Sequence, residues 1–349
     1  MPRRIVGLDI GSTAIRAVEV EKPDSAKPRI TKRLEAPLPS GASRYGEVVD
    51  PEAVARVLRS MWSTGGFRSR RIALGIGGQR MMARDLTVPT MPLRRIRETL
   101  PFQVQELLPV PVADLLLDFY PTESVVTDGT PMVTGLLVAA LKDTVRVNIR
   151  AVELAGLIPV EVDILPFALT RALRSDLDSD GVVAMVEVGA SATSVVVSRN
   201  RVPRFVRIVP RGGGDLTDRL ADQLGIEPAK AESVKLGLAM GFEGDEVPDY
   251  LVEAATIVEN YQRDLLQGLR NTLGYYATTF PEVPLERIVL TGGGARMTGF
   301  ANALAKLSGI PVERGRPFAG VEVAKGAEVE VSEDHTLAAA LGLALGSGR

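Results

Sequence analysis

The chain has 349 residues, 45% of them hydrophobic and 24% charged, with Lys plus Arg at 41 against Asp plus Glu at 43. That is the make-up of a globular protein long enough for two domains, with no global charge bias toward nucleic acid. Cysteine is absent and His335 is the single histidine, which excludes disulfides, thiolate metal sites, cysteine nucleophiles and multi-histidine metal centres.

No run reaches the ~18 apolar residues of a spanning helix, and the N-terminus has no long apolar signal core. A cytoplasmic protein is expected, with any membrane role coming through a partner or a surface patch.

In chain order, "VGLDIGSTAIRAVEV" (6–20) reads as two strands around a tight Gly-small-small turn. "PEAVARVLRSMWSTG" (51–65) has helical apolar spacing and stops at Gly65-Gly66, with Trp62 on its core-facing side. A short strand follows from Ile72 to Gly77. From Arg56 to Arg97 there are ten arginines and one acid, Asp85. Such a stretch is either a solvated basic face or a surface for acidic lipid or an acidic partner.

Residues 92–110 predict a helix interrupted at Pro101, 115–123 and 132–141 predict strands flanking the loop "SVVTDGTP", and 142–157 predict an amphipathic helix. Together, residues 80–160 read as a β-α-β-β-α unit inserted between two halves. A strand over 158–164 and a helix starting near Pro166 come next.

"AMVEVGASATSVVVS" (184–198) then repeats the opening stretch without a gap, placing Gly189 on Gly11, Ala192 on Ala14 and Glu187 on Asp9. Repetition so far apart points to two related halves rather than a solenoid. After a strand at 204–210, the glycines of "RGGGDLTDRLADQLG" lead into an Asp-initiated helix, followed by helices at 231–239 and roughly 249–280. "RIVLTGGGARMTGF" (287–300) reads as strand, three glycines, helix. "SEDHTLAAALGLALG" reads as a capped helix, with His335 as a surface residue near its cap.

Two acid-bearing hairpins facing across a cleft suit a phosphate chain. Gly11-Ser12-Thr13 and Gly189-Ala190-Ser191 would present N–H groups and hydroxyls to it. Asp9 and Glu187, just behind, would hold Mg²⁺ directly or through its waters. Gly292-Gly293-Gly294 would let a flat base or ribose lie against the main chain. Each piece alone also fits an ordinary turn, and neither a P-loop nor a strand–GxGxxG–helix fingerprint is present. The order of the pieces carries the reading.

In that order they resemble the actin-like ATPase superfamily. The resemblance implies an α/β, actin-like (ribonuclease H-like) duplicated fold, with two lobes around a nucleotide cleft and an inserted β-α-β-β-α module. It implies a first-half core at 1–79 and 161–181 with the helix at 335–349, the module at 80–160, a second-half core at 182–214 and 275–334, and an outer lobe at 215–274. ATP or ADP with Mg²⁺ would be the cofactors. Contacts would come from the two hairpin turns, from Gly213 and Gly214, from Glu232 and Lys235 of the matched "AESVKLGL" helix, and from Gly292, Gly293, Gly294 and Met297.

Within the superfamily the 80–160 module resembles that of the PilM family of type IV pilus assembly proteins, with the cell-division protein FtsA a near relative. This resemblance implies a scaffold that binds the N-terminal cytoplasmic tail of a PilN-like inner-membrane protein as an extended peptide, between the first-half core and the module. The scaffold would be recruited to the inner face of the membrane by its partners. Other pilus proteins or further copies of the chain are possible partners, and nucleic acid is not. A sugar or metabolite kinase and an FtsA-like filament protein are the alternatives.

The second phosphate motif usually carries Asp where this chain has Glu187. The extra methylene moves the carboxylate by about 1.3–1.5 Å, so a weak or slow ATPase is expected. In relatives the water-orienting residue lies in the connecting segment, where Glu161 and Asp163 share a strand face. A solvated or capping role is the alternative for both.

Overall fold

The computed structural model describes residues 3–177, 181–240, 249–327 and 334–346. β1 (Arg4–Ile10) and β2 (Ala14–Glu21) form the first hairpin, which sets Asp9 opposite Arg16. β3 (Arg29–Pro37), whose polar alternation gave no strand expectation, extends it antiparallel. After the small ribbon β4 (Ser43–Arg44) and β5 (Glu47–Val48) comes α1 (Pro51–Gly65). Its start is fixed by Asp50, whose carboxylate accepts from Ala53 N at 3.0 Å, and its end by Gly66 in the left-handed region. β6 (Arg71–Ile76) then runs parallel to β1.

β7 (Met82–Pro89), α2 (Leu93–Gln103), β8 (Leu115–Thr127) and β9 (Thr130–Leu141) build a separate three-stranded sheet, ordered β7-β9-β8, with α2 on it. α2 carries Pro101 in its last turn and ends at Gln103, short of the expected 110. Most of the expected "SVVTDGTP" loop is strand. The turn is only Asp128-Gly129, both at positive φ (49° and 75°), the two-residue geometry that matches strand twist.

α3 (Lys142–Leu154) was expected in the module, yet it packs on α1 and buries Val145, Ala151 and Val152 in the core of the first half. β10 (Ile158–Ile164) pairs parallel with β6 and forms the edge of the first sheet, and α4 (Leu165–Ala172) follows.

The second half repeats the plan with β11 (Val182–Val188), β12 (Thr193–Arg199) and β13 (Val202–Val209), then α5 (Gly213–Leu224), α6 (Pro228–Met240) and α7 (Asp249–Thr279). β14 (Arg287–Thr291), α8 (Phe300–Ser308) and β15 (Val312–Arg314) complete it, whereas β16 (Glu322–Val323), expected in the second-half core, pairs with β3 of the first sheet, and α9 (Ala338–Ala344) follows. The sheets run β10-β6-β1-β2-β3-β16 and β13-β12-β11-β14-β15. Read outward from each hairpin, the two have the same order: a three-stranded antiparallel meander with two parallel strands on the hairpin's other side. That shared order is the structural form of the repeated sequence.

α9, all of it buried, returns to the first half and lies between β1 and α4. Backbone meets backbone there: a Cβ on Gly7 would fall 1.9 Å from Ala340 O, and one on Gly342 would fall 1.8 Å from Ala168 O. Only glycine allows that approach. Ser332 and Glu333, the first residues of the segment expected to form this capped helix, lie outside the described residues.

Candidate functional site

The two hairpin turns meet between the halves. Ser12 Oγ donates to Ser191 Oγ at 2.9 Å, Gly46 N donates to Ser12 Oγ at 2.8 Å, and Gln79 Nε2 donates to Ser191 O at 3.0 Å. Each turn is closed by the same bond, Gly11 N to Ala14 O and Gly189 N to Ala192 O, both 3.0 Å. The N–H groups of Ser12, Thr13, Ala190 and Ser191 are left without an acceptor among the described residues. Four adjacent free donors at one mouth make an anion cradle.

The cleft behind them has a volume of about 1100 Å³, and its walls include Asp9, Ser12, Thr13, Glu187, Gly189, Ala190 and Ser191 from the two hairpins. Gly213, Gly214, Glu232, Lys235, Gly292, Gly293, Gly294 and Met297 complete the expected set on the second-half side. Gly11 lies beneath its turn rather than on the wall, and its amide is spent closing that turn.

Asp9 is buried, and Arg16, directly across the hairpin, brings Nη1 to 3.7 Å from its Oδ2 while also forking onto Glu35 at 3.2 Å. Burial pushes the Asp9 carboxyl up, with Arg16 opposing and Glu35 adding to the rise. Glu187 is pushed up to about 7, first by burial and then by the charge of Asp9. A buried and a half-buried carboxylate that repel each other fit a divalent cation. No group of three potential metal-ligating side chains occurs among the described residues, so phosphate oxygens and water would complete the shell, as Mg²⁺ prefers. Arg16 is a cleft residue that sequence reading missed. Its signal was its place opposite Asp9 in the hairpin.

On the opposite wall, Gly213 N donates to Gly189 O at 2.8 Å and Gly214 N to Ala190 O at 2.7 Å. These glycines therefore brace the second hairpin turn, and their N–H groups are spent on it. The helix they open begins at Gly213, with Asp215 in its first turn accepting from Gly212 N at 2.7 Å.

Lys235 Nζ lies 3.0 Å from Gly213 O, 2.8 Å from Thr217 Oγ1 and 2.6 Å from Glu232 Oε2, so the pair belongs to a network behind the turn. Gly292 holds φ at 86°, and a Cβ there would strike Val188 O at 2.5 Å. Its N–H and the Thr291 hydroxyl donate to His335 O, at 3.3 and 3.2 Å. The expectation of a surface His335 is corrected: the residue is 4% exposed, neither ring nitrogen has a hydrogen-bond partner among the described residues, and burial pulls the imidazole down.

Glu161 and Asp163 are not brought to this cleft. β10 is separated from β1 by β6, and its acids turn into a second cavity of about 740 Å³ between the first-half core and the inserted module. There Asp163 Oδ1 accepts from Ile164 N at 2.7 Å and Oδ2 pairs with Arg171 at 2.5 Å. Neither acid stands where it could orient a water beside the hairpin turns.

Part of the arginine-rich stretch has structural work. Arg59 and Arg70 donate to Leu154 O and Gly156 O at the end of α3, and Arg97 pairs with Asp118. Trp62 stacks on Phe67 at 4.7 Å and donates to Ser69 O at 2.9 Å, as a packing residue.

Two halves of one topology, each offering an acid-bearing hairpin to a shared cleft, define an actin-like ATPase fold. The model of the family described as "Type IV pilus assembly protein PilM" matches residues 7–348, and the chain belongs to that family. The structure resembles that of a PilM-PilN type IV pilus biogenesis complex, with a TM-score of 0.86 and 27% identity over 98% of this chain and 97% of that one. Ethanolamine utilization protein EutJ from Carboxydothermus hydrogenoformans shares the fold, with a TM-score of 0.56 and 18% identity over 99% and 90% of the two chains. The cell division protein FtsA of Bacillus subtilis is 23% identical over 84% of this chain and 74% of its own.

Proposed function

We propose that the chain is a nucleotide-dependent scaffold of type IV pilus assembly, holding ATP or ADP with Mg²⁺ in the cleft and the N-terminal cytoplasmic tail of a PilN-like membrane protein in the second cavity. The observation that carries this reading is the second cavity. It opens between the core and the module in a chain whose likeness to a PilM-PilN complex covers nearly its whole length. Among the described residues no helix is long and apolar enough to cross a membrane, so attachment would run through that partner.

In the cleft, the amides of Ser12, Thr13, Ala190 and Ser191 would hold phosphate oxygens, and Arg16 would supply the cation beside them. Asp9 and Glu187 would hold Mg²⁺, which supplies charge neutralisation for the phosphates when bound. Glu232 and Lys235, both on the cleft wall, would meet a ribose or base from the second half. With Asp163 tied to Arg171 outside the cleft, the kinase alternative loses its candidate base and turnover its candidate water-orienting acid. This supports binding with slow hydrolysis over a kinase activity.

Calorimetric titration of the full chain with Mg-ATP and, separately, with the synthetic tail of its cognate PilN tests the reading. Saturable binding of both is expected. A chain that binds nucleotide and not the tail would refute the scaffold role.

A further inference from the structure

The small ribbon β4–β5 forms part of the first-half wall of the nucleotide cleft, where Ser43, Arg44 and Tyr45 line the space. It is fastened to the first hairpin turn. Leu38 N, just ahead of the ribbon, donates to Thr13 O at 2.9 Å, and Gly46 N donates to Ser12 Oγ at 2.8 Å. Ser43 pairs with Val48 and Arg44 with Glu47, which leaves Tyr45-Gly46 as the two-residue turn. Both turn residues have positive φ, 54° and 79°. A bulky side chain rarely adopts that region, and such strain persists only where the surroundings impose it. Here they do: Gly46 is held by Ser12, and the Tyr45 carbonyl presses so close that a Cβ on Gly78 would lie 2.5 Å from it.

This rigid tip carries an unspent charge. The cationic side chains on the cleft walls, among the described residues, are Arg16, Arg44, Lys235 and Arg296. Arg16 is shared between Asp9 and Glu35, and Lys235 is paired with Glu232. Glu47, the register partner of Arg44, turns instead to Arg80 at 3.5 Å. Arg44 therefore has no carboxylate partner among the described residues, and its guanidinium lies over the Tyr45 ring, 5.2 Å from the centroid. Stacking fixes the plane of a guanidinium and leaves its N–H edge free for phosphate oxygens. Beside it Ser43 is 7% exposed, and its hydroxyl has no hydrogen-bond partner among the described residues.

We propose that the ribbon reads the terminal phosphate: Arg44 takes the γ-phosphate of a bound nucleoside triphosphate and sets the preference of the cleft for ATP over ADP. The inference rests on the proposed function for the nucleotide itself and adds the residue that tells its two states apart. A nucleotide whose base and ribose meet α6 and the glycine turn of the second half, with phosphates between the hairpin turns, runs toward the first-half wall. Its last phosphate is the group that reaches the ribbon. Arg296, the other cleft cation without a carboxylate partner among the described residues, belongs to the glycine turn and would meet the end that ATP and ADP have in common.

The test is calorimetric titration of the full chain with Mg-ATP and with Mg-ADP, on the parent, Arg44→Ala and Arg296→Ala. Arg44 is exposed, so its truncation leaves the fold intact. Arg44→Ala should weaken ATP binding about tenfold, the scale of a hydrogen bond to a charged group, and leave ADP binding within about twofold. Arg296→Ala should keep the parent's ratio of ATP to ADP affinity. If Arg44→Ala keeps that ratio too, or if Arg296→Ala shifts it equally, the ribbon does not read the terminal phosphate, while the proposed function stands. If the parent binds neither nucleotide, the nucleotide-dependent role falls and this inference falls with it.

Discussion

Ser12 and Ser191, at equivalent turns of the two halves, touch: the hydroxyl of the first donates to the oxygen of the second at 2.9 Å. The two loops proposed to hold phosphate thus hold each other, and Ser12 Oγ also accepts from Gly46 N.

A nucleotide entering between these turns would take over both hydroxyls. Ser12→Ala and Ser191→Ala should each weaken Mg-ATP binding by about tenfold, the scale of one hydrogen bond to a charged group. The double variant should lose less than the product, because the residues share a contact. Unchanged affinity in both single variants, measured by calorimetry, would remove the turns from the phosphate site.

Gly342 is a packing position with no room for a methyl group, since its Cβ would lie 1.8 Å from Ala168 O. Gly342→Ala should destabilise the fold by about 3 kcal/mol or more, because backbone on both sides must move. Gly237, on α6 with open space around it, is the internal control. There the same substitution should be neutral or stabilising by up to about 1 kcal/mol. Urea midpoints that fall equally for the two variants would show that the α9–α4 contact is loose.

Glu187 makes the ligand-free protein sensitive to pH. Its carboxyl stands at about 7 in the folded chain against an ordinary 4.5. The folded state therefore binds the proton more tightly than the unfolded chain does. Stability from this group is fully present below about 4.5 and is lost as pH rises through about 7. Melting temperature should fall across that window, and Glu187→Gln should flatten the fall. A slope unchanged in the Gln variant would assign the titration elsewhere. In single-turnover assays Glu187→Asp should hydrolyse ATP faster than the parent chain, and equal rates would show that carboxylate reach does not set the rate.

The duplicated hairpin was legible because it repeats without a gap, and the same topology then appears in both sheets. β3 was not, because a strand partly open to solvent alternates too weakly to separate from a loop. α3 displayed an apolar face, but periodicity cannot say which neighbour covers that face, and here it is α1 rather than the module sheet. Alternation rightly put Glu161 and Asp163 on one side of a strand. Which cavity that side meets depends on sheet order, and sheet order is a tertiary fact. Arg16 went unread for a related reason: the hairpin that places it opposite Asp9 was recognised, yet its charge was not assigned to the cleft. His335 looked exposed because its neighbours in sequence are polar, while its neighbours in space are the end of β14 and the glycine turn.

The seat of α9 bears on how this molecule is made. β1, β2 and β6 emerge early from the ribosome, but the helix that covers them is the last described element to be synthesised. Translation proceeds at roughly 5–20 residues per second, so the apolar floor around Gly7 stays uncovered while the rest of the chain is added. The first half can close only after the second half has been translated. Maturation of the cleft and of the second cavity is thereby tied to the synthesis of α9.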